Sequence, residues 1–345
     1  MSSKNFPYKS SFYDKNLLWE NVKNLDSITP EIVEVSPEWY FPGPNLTYQF
    51  QNLKNNETIG FVYDENSYDN INVLVDYYTE PVRMTANRKK CVSPLEYFNA
   101  NYDTLLIEAK KYQDDNKLTP PLVTGDEIKL KYYLREAIYT HATECTTFKI
   151  NVSKAIFKYF KSRIVLDPSA GWGDRIIGAA GADVRVYHGI DPNPDLQSGY
   201  TELIKDINTT LANVPNFKPG RFKLIKGDFL QMKITSNGYD TVFTSPPFFD
   251  YEIYNKSDPG QSVNQYPTLP EWIEHFLKPY LNKCGDALVI NGYLILYIAD
   301  TRDQYFEKMH KHITQVMKFT YIGCAAIISE QRFNRAAPLW CYRKV

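Results

Sequence analysis

The sequence predicts an α/β fold built on a mostly parallel, doubly wound sheet. Three observations predict it. From residue 164 onward, short apolar runs alternate with stretches of helical period. Three of those runs end in an acid, at Asp167, Asp191 and Asp228. The chain closes on two strand-like runs separated by a short turn, which adds an antiparallel hairpin.

The 345 residues, 43% hydrophobic and 23% charged, allow one large domain or two ordinary ones. A net charge of −1 gives no overall field that would announce a polyanionic partner. The last 45 residues hold 8 Lys/Arg against 3 Asp/Glu, a local basic bias. The five cysteines are scattered without zinc spacing, so no metal is expected and a reducing intracellular compartment is. No basic-then-apolar leader and no membrane-length apolar run is present, so neither secretion nor membrane insertion is expected.

Residues 1–124 form an accessory region of mixed α and β character. A short helix is expected near Asn16–Asn24, and Tyr40–Pro44 is a loop. Residues 45–80 fit two short strands or a strand and a helix. Ser93-Pro94-Leu95-Glu96 is a helix start, with Ser93 at the N-cap and Pro94 at N1, and the helix runs to about Gln113. Thr119-Pro120-Pro121 is a linker. The second unit, residues 125–345, opens with helices over Asp126–Tyr139 and Val152–Phe160. Strands follow at Ile164–Asp167, Val184–Asp191, Phe222–Gly227, Thr241–Ser245 and Tyr293–Ala299. The helices between and after them are Asp174–Ala180, Asp195–Leu211, Glu271–Cys284 and Asp303–Met317. Strands Phe319–Ile328 and Leu339–Arg343 end the chain around a turn at Glu330–Ala336.

The chemistry begins at Asp167-Pro168-Ser169-Ala170-Gly171-Trp172-Gly173, a strand end, a glycine loop and a helix start. That arrangement lets backbone approach a nucleotide-like ligand. It lacks the Gly-Lys-Ser/Thr of a phosphate loop. An acid at the strand end repels pyrophosphate but suits an ammonium group or ribose hydroxyls. Asp191 is placed for ribose hydroxyls. Asp228 can accept from an adenine amino group, with Phe229 against the ring face. Each acid alone is explained as a helix cap; three on one carboxyl edge point to a ligand site.

These residues resemble the S-adenosylmethionine site of class I methyltransferases, over about residues 140–345. The resemblance implies a Rossmann-like methyltransferase fold with a seven-stranded, mostly parallel sheet and a terminal antiparallel hairpin. It implies S-adenosyl-L-methionine as cofactor, held by Asp167, Ser169, Gly171, Gly173, Asp191, Asp228 and Phe229. Thr146, Thr147 and Phe148 occupy the position of the segment that touches the cofactor's methionine part.

Thr244-Ser245-Pro246-Pro247-Phe248 follows the fourth strand of this alternation. Two prolines fix the backbone and offer no N–H. Their neighbours' carbonyls and the Ser245 hydroxyl can accept hydrogen bonds from an exocyclic amine, and Phe248 offers a face for a base to stack on. The run through Tyr254 resembles the catalytic motif of DNA N6-adenine and N4-cytosine amino-methyltransferases, with Ser245, Pro246, Pro247 and Phe248 as the catalytic residues. It implies a nucleic-acid partner, DNA before RNA. Phe replaces the more frequent Tyr, and the motif order differs from the typical N4-cytosine arrangement. Arg83, Arg88, Lys89 and Lys90, with Arg332 and Arg335 in the final turn, are the phosphate-contact candidates. Asn255–Pro270 reads as a lid over the substrate. The alternatives are an RNA adenine methyltransferase, a protein-glutamine methyltransferase, and a non-catalytic subunit that keeps the fold.

Overall fold

A computed structural model describes residues 5–23, 31–34, 59–63, 71–88, 91–115, 126–182, 184–214, 217–254, 258–298, 305–329 and 336–345. In chain order, helix α1 (Lys15–Lys23) precedes strands β1 (Glu31–Glu34) and β2 (Ile59–Tyr63). Helix α2 (Asp76–Arg83), strand β3 (Asn87–Arg88), and helices α3 (Pro94–Asp114), α4 (Asp126–His141) and α5 (Ile150–Phe160) follow. The alternation then runs β4 (Ile164–Asp167), α6 (Asp174–Ala180), β5 (Val186–Asp191), α7 (Gln197–Thr210), β6 (Phe222–Lys226), β7 (Tyr239–Thr244) and the short β8 (Glu252–Ile253). Short helices α8 (Ser262–Gln265) and α9 (Leu269–Glu271) come next. Then α9 continues through a π-helical turn, Trp272–Leu277, into α10 (Lys278–Ala287). Strand β9 (Leu288–Tyr297), helix α11 (Phe306–Lys311) and the pair β10 (Thr320–Ser329) and β11 (Ala336–Arg343) complete the chain.

Seven strands lie in the order β6-β5-β4-β7-β9-β11-β10. The run from β6 to β9 is parallel, and β11 is antiparallel to both of its neighbours. This is a Rossmann-like α/β sheet, with the seven mostly parallel strands and terminal antiparallel hairpin that the sequence implies. The N-terminal region adds to it: β2 pairs parallel with β10 and β1 antiparallel with β2, giving nine strands. The chain winds outward from β4 in one direction and from β7 in the other. Their neighbouring carboxyl ends are therefore the crevice where open α/β sheets bind ligands.

Alternation along the strands fills two cores. Val165, Phe243 and Ile295 face the layer of α5, α6 and α7, while Leu166, Val242, Leu294 and Leu296 face the layer of α10 and α11. Fully burying each such side chain stabilises the fold by about 1.5–3 kcal/mol. A third cluster joins α3 to α4 through Phe98, Leu105, Ala109, Leu134 and Ile138. Helix α3 starts as its sequence dictates, with a complete capping box between Ser93 and Glu96.

Several boundaries differ from expectation, and two of them have a cause in the packing. Strand β9 begins at Leu288, ahead of Tyr293, because Asn291-Gly292 forms an irregularity inside the strand: Asn291 has φ +68° and the β7–β9 register shifts there. Helix α10 passes through Gly285, which does not stop it. A Cβ at Gly285 would stand 2.8 Å from Met317 Cε, so glycine serves close packing.

Helix α2 packs against α7. Gly199 of α7 touches it so closely that a Cβ there would lie 2.0 Å from Tyr78 O. The Tyr78 hydroxyl accepts from Trp19 Nε1 at 2.9 Å and donates to Asp206 at 2.7 Å. The Thr79 hydroxyl donates to the Trp172 carbonyl at 3.0 Å, so α2 supports the glycine loop from behind.

Candidate active site

Strand β4 delivers the chain to Asp167, and Gly171 (φ +57°) and Gly173 (φ +91°) turn it into α6. Both are in the left-handed region that favours glycine. Asp167 is fully buried and does not line the cavity that follows. Its carboxylate accepts Arg175 Nε at 2.7 Å, Arg175 Nη2 at 3.1 Å and the Tyr187 hydroxyl at 2.5 Å. Arg175 also donates to the Ser169 carbonyl, and the Tyr200 hydroxyl to the Gly171 carbonyl. Asp167 thus fixes the loop rather than facing a ligand, which corrects the expected direct cofactor contact. Gly173 likewise stands at the N-cap of α6, outside the cavity lining.

The carboxyl ends of β4, β5, β6 and β7 open into one cavity of about 690 Å³. Asp191 lines it, with Oδ2 accepting from Gly171 N and Oδ1 from Asn193 N, both at 3.0 Å. Burial pushes its carboxyl up to about 7, against the pull of those two amides. Asp174 lines the cavity from the first turn of α6, where its Oδ2 accepts from Phe148 N at 3.1 Å. Burial raises it to about 6, with Arg175 opposing. Asp228 and Phe229 line the wall below β6. Asp228 Oδ1 accepts from Leu230 N at 2.9 Å, and Phe229 sits edge-on to Tyr280 at 5.2 Å.

Three buried polar atoms of this wall have no hydrogen-bond partner among the described residues: Trp172 Nε1, Asp174 Oδ1 and Asn193 Nδ2. Buried polar groups are ordinarily satisfied. Asp174 Oδ1 keeps an ion pair with Arg175 Nη1 at 3.7 Å. Two donors and a carboxylate oxygen without hydrogen bonds on one wall fit a ligand that carries hydroxyls and an ammonium group.

The opposite wall is built after β7. Ser245, Pro246, Pro247 and Phe248 line the cavity with Tyr251, Glu252 and Tyr297. Phe249 takes φ +52°, a costly conformation for an aromatic residue, and buries its ring 5.8 Å from Trp272. That turn leaves Phe248 on the cavity side. The Tyr280 hydroxyl lies 2.8 Å from Ser169 Oγ and 2.9 Å from Thr244 Oγ1, joining the two loops. Tyr254 stacks on Trp172 with centroids 4.3 Å apart. Asp258, Gly260, Gln261 and Ser262 close one side. They belong to the expected lid, of which residues 255–257 lie outside the described residues.

Thr146, Thr147 and Phe148 line the same cavity, and Phe148 sits edge-on to Phe243 at 5.4 Å and Tyr297 at 5.0 Å. Behind them Arg83 is buried, with ion pairs to Asp76 and to Glu144 (2.6 Å) and a hydrogen bond to the Cys145 carbonyl at 3.2 Å. The expected phosphate contact by Arg83 is therefore corrected: its guanidinium is enclosed and neutralised. Arg88 lines the cavity and pairs with Glu252 at 3.3 Å. Lys89, Lys90, Arg332 and Arg335 lie outside the described residues. Tyr280, Asp174, Asn193 and Arg175 are the site residues that the motifs leave out.

No protein-family model matches the chain, and no curated protein matches it. Among solved structures it is similar to a SAM-dependent methyltransferase from Aquifex aeolicus, at 12% identity and TM-score 0.37, over 56% of this chain and 89% of that one. It is similar to TrmN from Thermus thermophilus, at 10% identity and TM-score 0.38, over 65% and 69%. A methyltransferase from Geobacter sulfurreducens aligns over 70% of this chain and 100% of its own, at 13% identity and TM-score 0.37.

Proposed function

We propose that this chain transfers a methyl group from S-adenosylmethionine to an exocyclic amino group of a nucleic-acid base, adenine N6 or cytosine N4, with DNA as the substrate class. One observation carries the reading: a single cavity is lined by Asp191, Asp174 and Asp228 on one wall and by Ser245–Phe248 on the other. Its volume of about 690 Å³ is in the range of small-molecule sites. The DNA preference rests on the resemblance of the Ser245–Tyr254 run to DNA amino-methyltransferases.

When bound, S-adenosylmethionine supplies an electrophilic methyl on a sulfonium. The chain's residues do the rest. Asp191 accepts from ribose hydroxyls. Asp228 accepts from the adenine amine, and Phe229 packs on its ring. Asp174 Oδ1 neutralises the methionine ammonium. On the acceptor wall, Phe248 holds the base by its face, and Ser245 Oγ with the Ser245 carbonyl accepts from the target amine. That orients the nitrogen lone pair, and in-line alignment supplies much of the rate. A paired base cannot enter such a cavity, so the substrate base is flipped or single-stranded.

The test is transfer of a labelled methyl group to DNA, RNA and protein, followed by digestion to nucleosides and mass spectrometry. N6-methyldeoxyadenosine or N4-methyldeoxycytidine is expected. Label only in ribonucleosides would replace DNA with RNA, and label only in protein would overturn the reading.

A further inference from the structure

We propose that Glu252 is the proton acceptor for the methylated amine, with Arg88 as its fixed counter-ion. This rests on the base-amine reading above. Glu252 on β8 stands opposite Arg88 on β3 in a two-stranded antiparallel ladder, with Oε1 3.3 Å from Arg88 Nε. Both line the cavity beside Phe248, Tyr251 and Tyr297, on the wall built by the catalytic loop. The acids of the other wall are committed elsewhere: Asp191 takes two backbone amides, Asp174 takes Phe148 N, and Asp228 takes Leu230 N. Asp258 accepts from Gly260 N within its own loop. Asp250 shares the wall of Glu252, but Glu252 is held by donors from three segments. They are Arg88, the Tyr254 hydroxyl at 3.3 Å and the Thr146 amide.

The reaction needs such a group. The amine lone pair forms a nitrogen–carbon bond to the methyl, and the carbon–sulfur pair leaves with sulfur. Nitrogen is then cationic. Its N–H pair returns to nitrogen, and the proton passes to a Glu252 carboxylate oxygen, leaving a neutral carboxyl that gives the proton to water at the cavity mouth. The Ser245 hydroxyl accepts a hydrogen bond but cannot hold a proton, whereas a carboxylate can. The ionisable groups that face Glu252 are Arg88 from β3, Arg83 from α2, Cys145 from the segment before α5, Tyr254 from its own loop and Tyr297 from β9. Burial raises the Glu252 carboxyl above its ordinary value, with Arg88 opposing, which makes it a stronger base than a surface carboxylate.

The test uses the full chain with an oligonucleotide shown to be methylated by the wild type. Glu252→Gln keeps an acceptor oxygen for Arg88 and Tyr254 but cannot take a proton. Its single-turnover rate is expected to fall about a hundredfold, with S-adenosylhomocysteine affinity within about twofold of wild type. The rise of the wild-type rate with pH should flatten in Glu252→Gln and return in part in Glu252→Asp. In the S-adenosylhomocysteine-bound protein, a titrating carboxyl carbon resonance should vanish in Glu252→Gln. A Glu252→Gln enzyme with wild-type rate and pH profile overturns the inference alone, as does an equal loss of cofactor affinity and rate. A wild type that methylates no nucleic-acid base overturns it together with the reading beneath it.

Discussion

The Tyr254 ring lies on the Trp172 ring, centroids 4.3 Å apart and planes 31° from parallel. Trp172 is in the glycine loop after β4, and Tyr254 ends the loop after β7. The contact closes the cavity between the two loops, and Trp172 Nε1 is buried without a hydrogen-bond partner among the described residues. Aromatic pairs of this kind are worth about 0.5–1.5 kcal/mol beyond their buried area. Tyr254→Ala should therefore weaken S-adenosylmethionine binding about tenfold by calorimetry. Tyr254→Phe, which loses only the 3.3 Å contact with Glu252, should stay within about threefold of wild type.

Tyr280 predicts a different loss. Its hydroxyl is buried between Ser169 Oγ and Thr244 Oγ1. Tyr280→Phe leaves two hydroxyls short of a partner, at a cost of about 1–3 kcal/mol. Chemical denaturation should show that loss. The methyl-transfer rate should fall with it, because the two loops lose their shared anchor.

Asp167 and Asp191 end neighbouring strands but should fail in opposite ways. Asp167→Ala strips the buried Arg175 guanidinium of its close counter-ion, leaving Asp174 at 3.7 Å, and removing one partner of a buried pair typically costs about 3–5 kcal/mol. Unfolding of the cofactor-free protein should report it directly. Asp191→Asn keeps an acceptor for Gly171 or Asn193, so the free protein should lose little stability. Its S-adenosylmethionine affinity should fall at least tenfold.

Two carboxyls of the cofactor wall, Asp191 and Asp174, set a pH dependence. Asp191 is raised to about 7 and Asp174 to about 6, above an ordinary carboxylate at 3.8. The folded free protein therefore keeps protons that the unfolded chain has lost. Stability contributed by these groups is present at low pH and is lost as pH rises from about 4 through 7. A ligand that donates to the ionised carboxylates through an ammonium group and hydroxyls reverses the penalty. S-adenosylhomocysteine, which carries the same ammonium and ribose, should raise the melting temperature more at pH 8 than at pH 5.5. Its binding at pH 6.5 should release protons, measured by calorimetry in buffers of different ionisation enthalpy.

Much of this was legible because it is local. A short run ending in an acid marks β4 and β5, and Ser93-Pro94-x-Glu96 marks the start of α3. The two loops of the cavity were visible as motifs, since each needs its residues contiguous. What escaped is contact between distant positions. Nothing near Tyr280 signals that its hydroxyl meets residues 111 and 36 positions away. Arg83 read as part of a surface cluster with Arg88, Lys89 and Lys90. The contrary signal was present: Asp76, Glu80 and Arg83 are spaced i, i+4, i+7, one face of one helix, and that face is buried. Asp174 was taken as a helix start, which it is, and its second oxygen shows only in three dimensions.

The central claim is that cofactor and target amine meet in one cavity. It is tested most directly by a bisubstrate analogue, adenosine joined through its 5′ position to the exocyclic nitrogen of a second base, titrated by calorimetry. Binding at least a hundredfold tighter than S-adenosylhomocysteine is expected, with Phe248→Ala removing most of the gain and leaving S-adenosylhomocysteine binding unchanged. An analogue that binds no tighter than S-adenosylhomocysteine would contradict it.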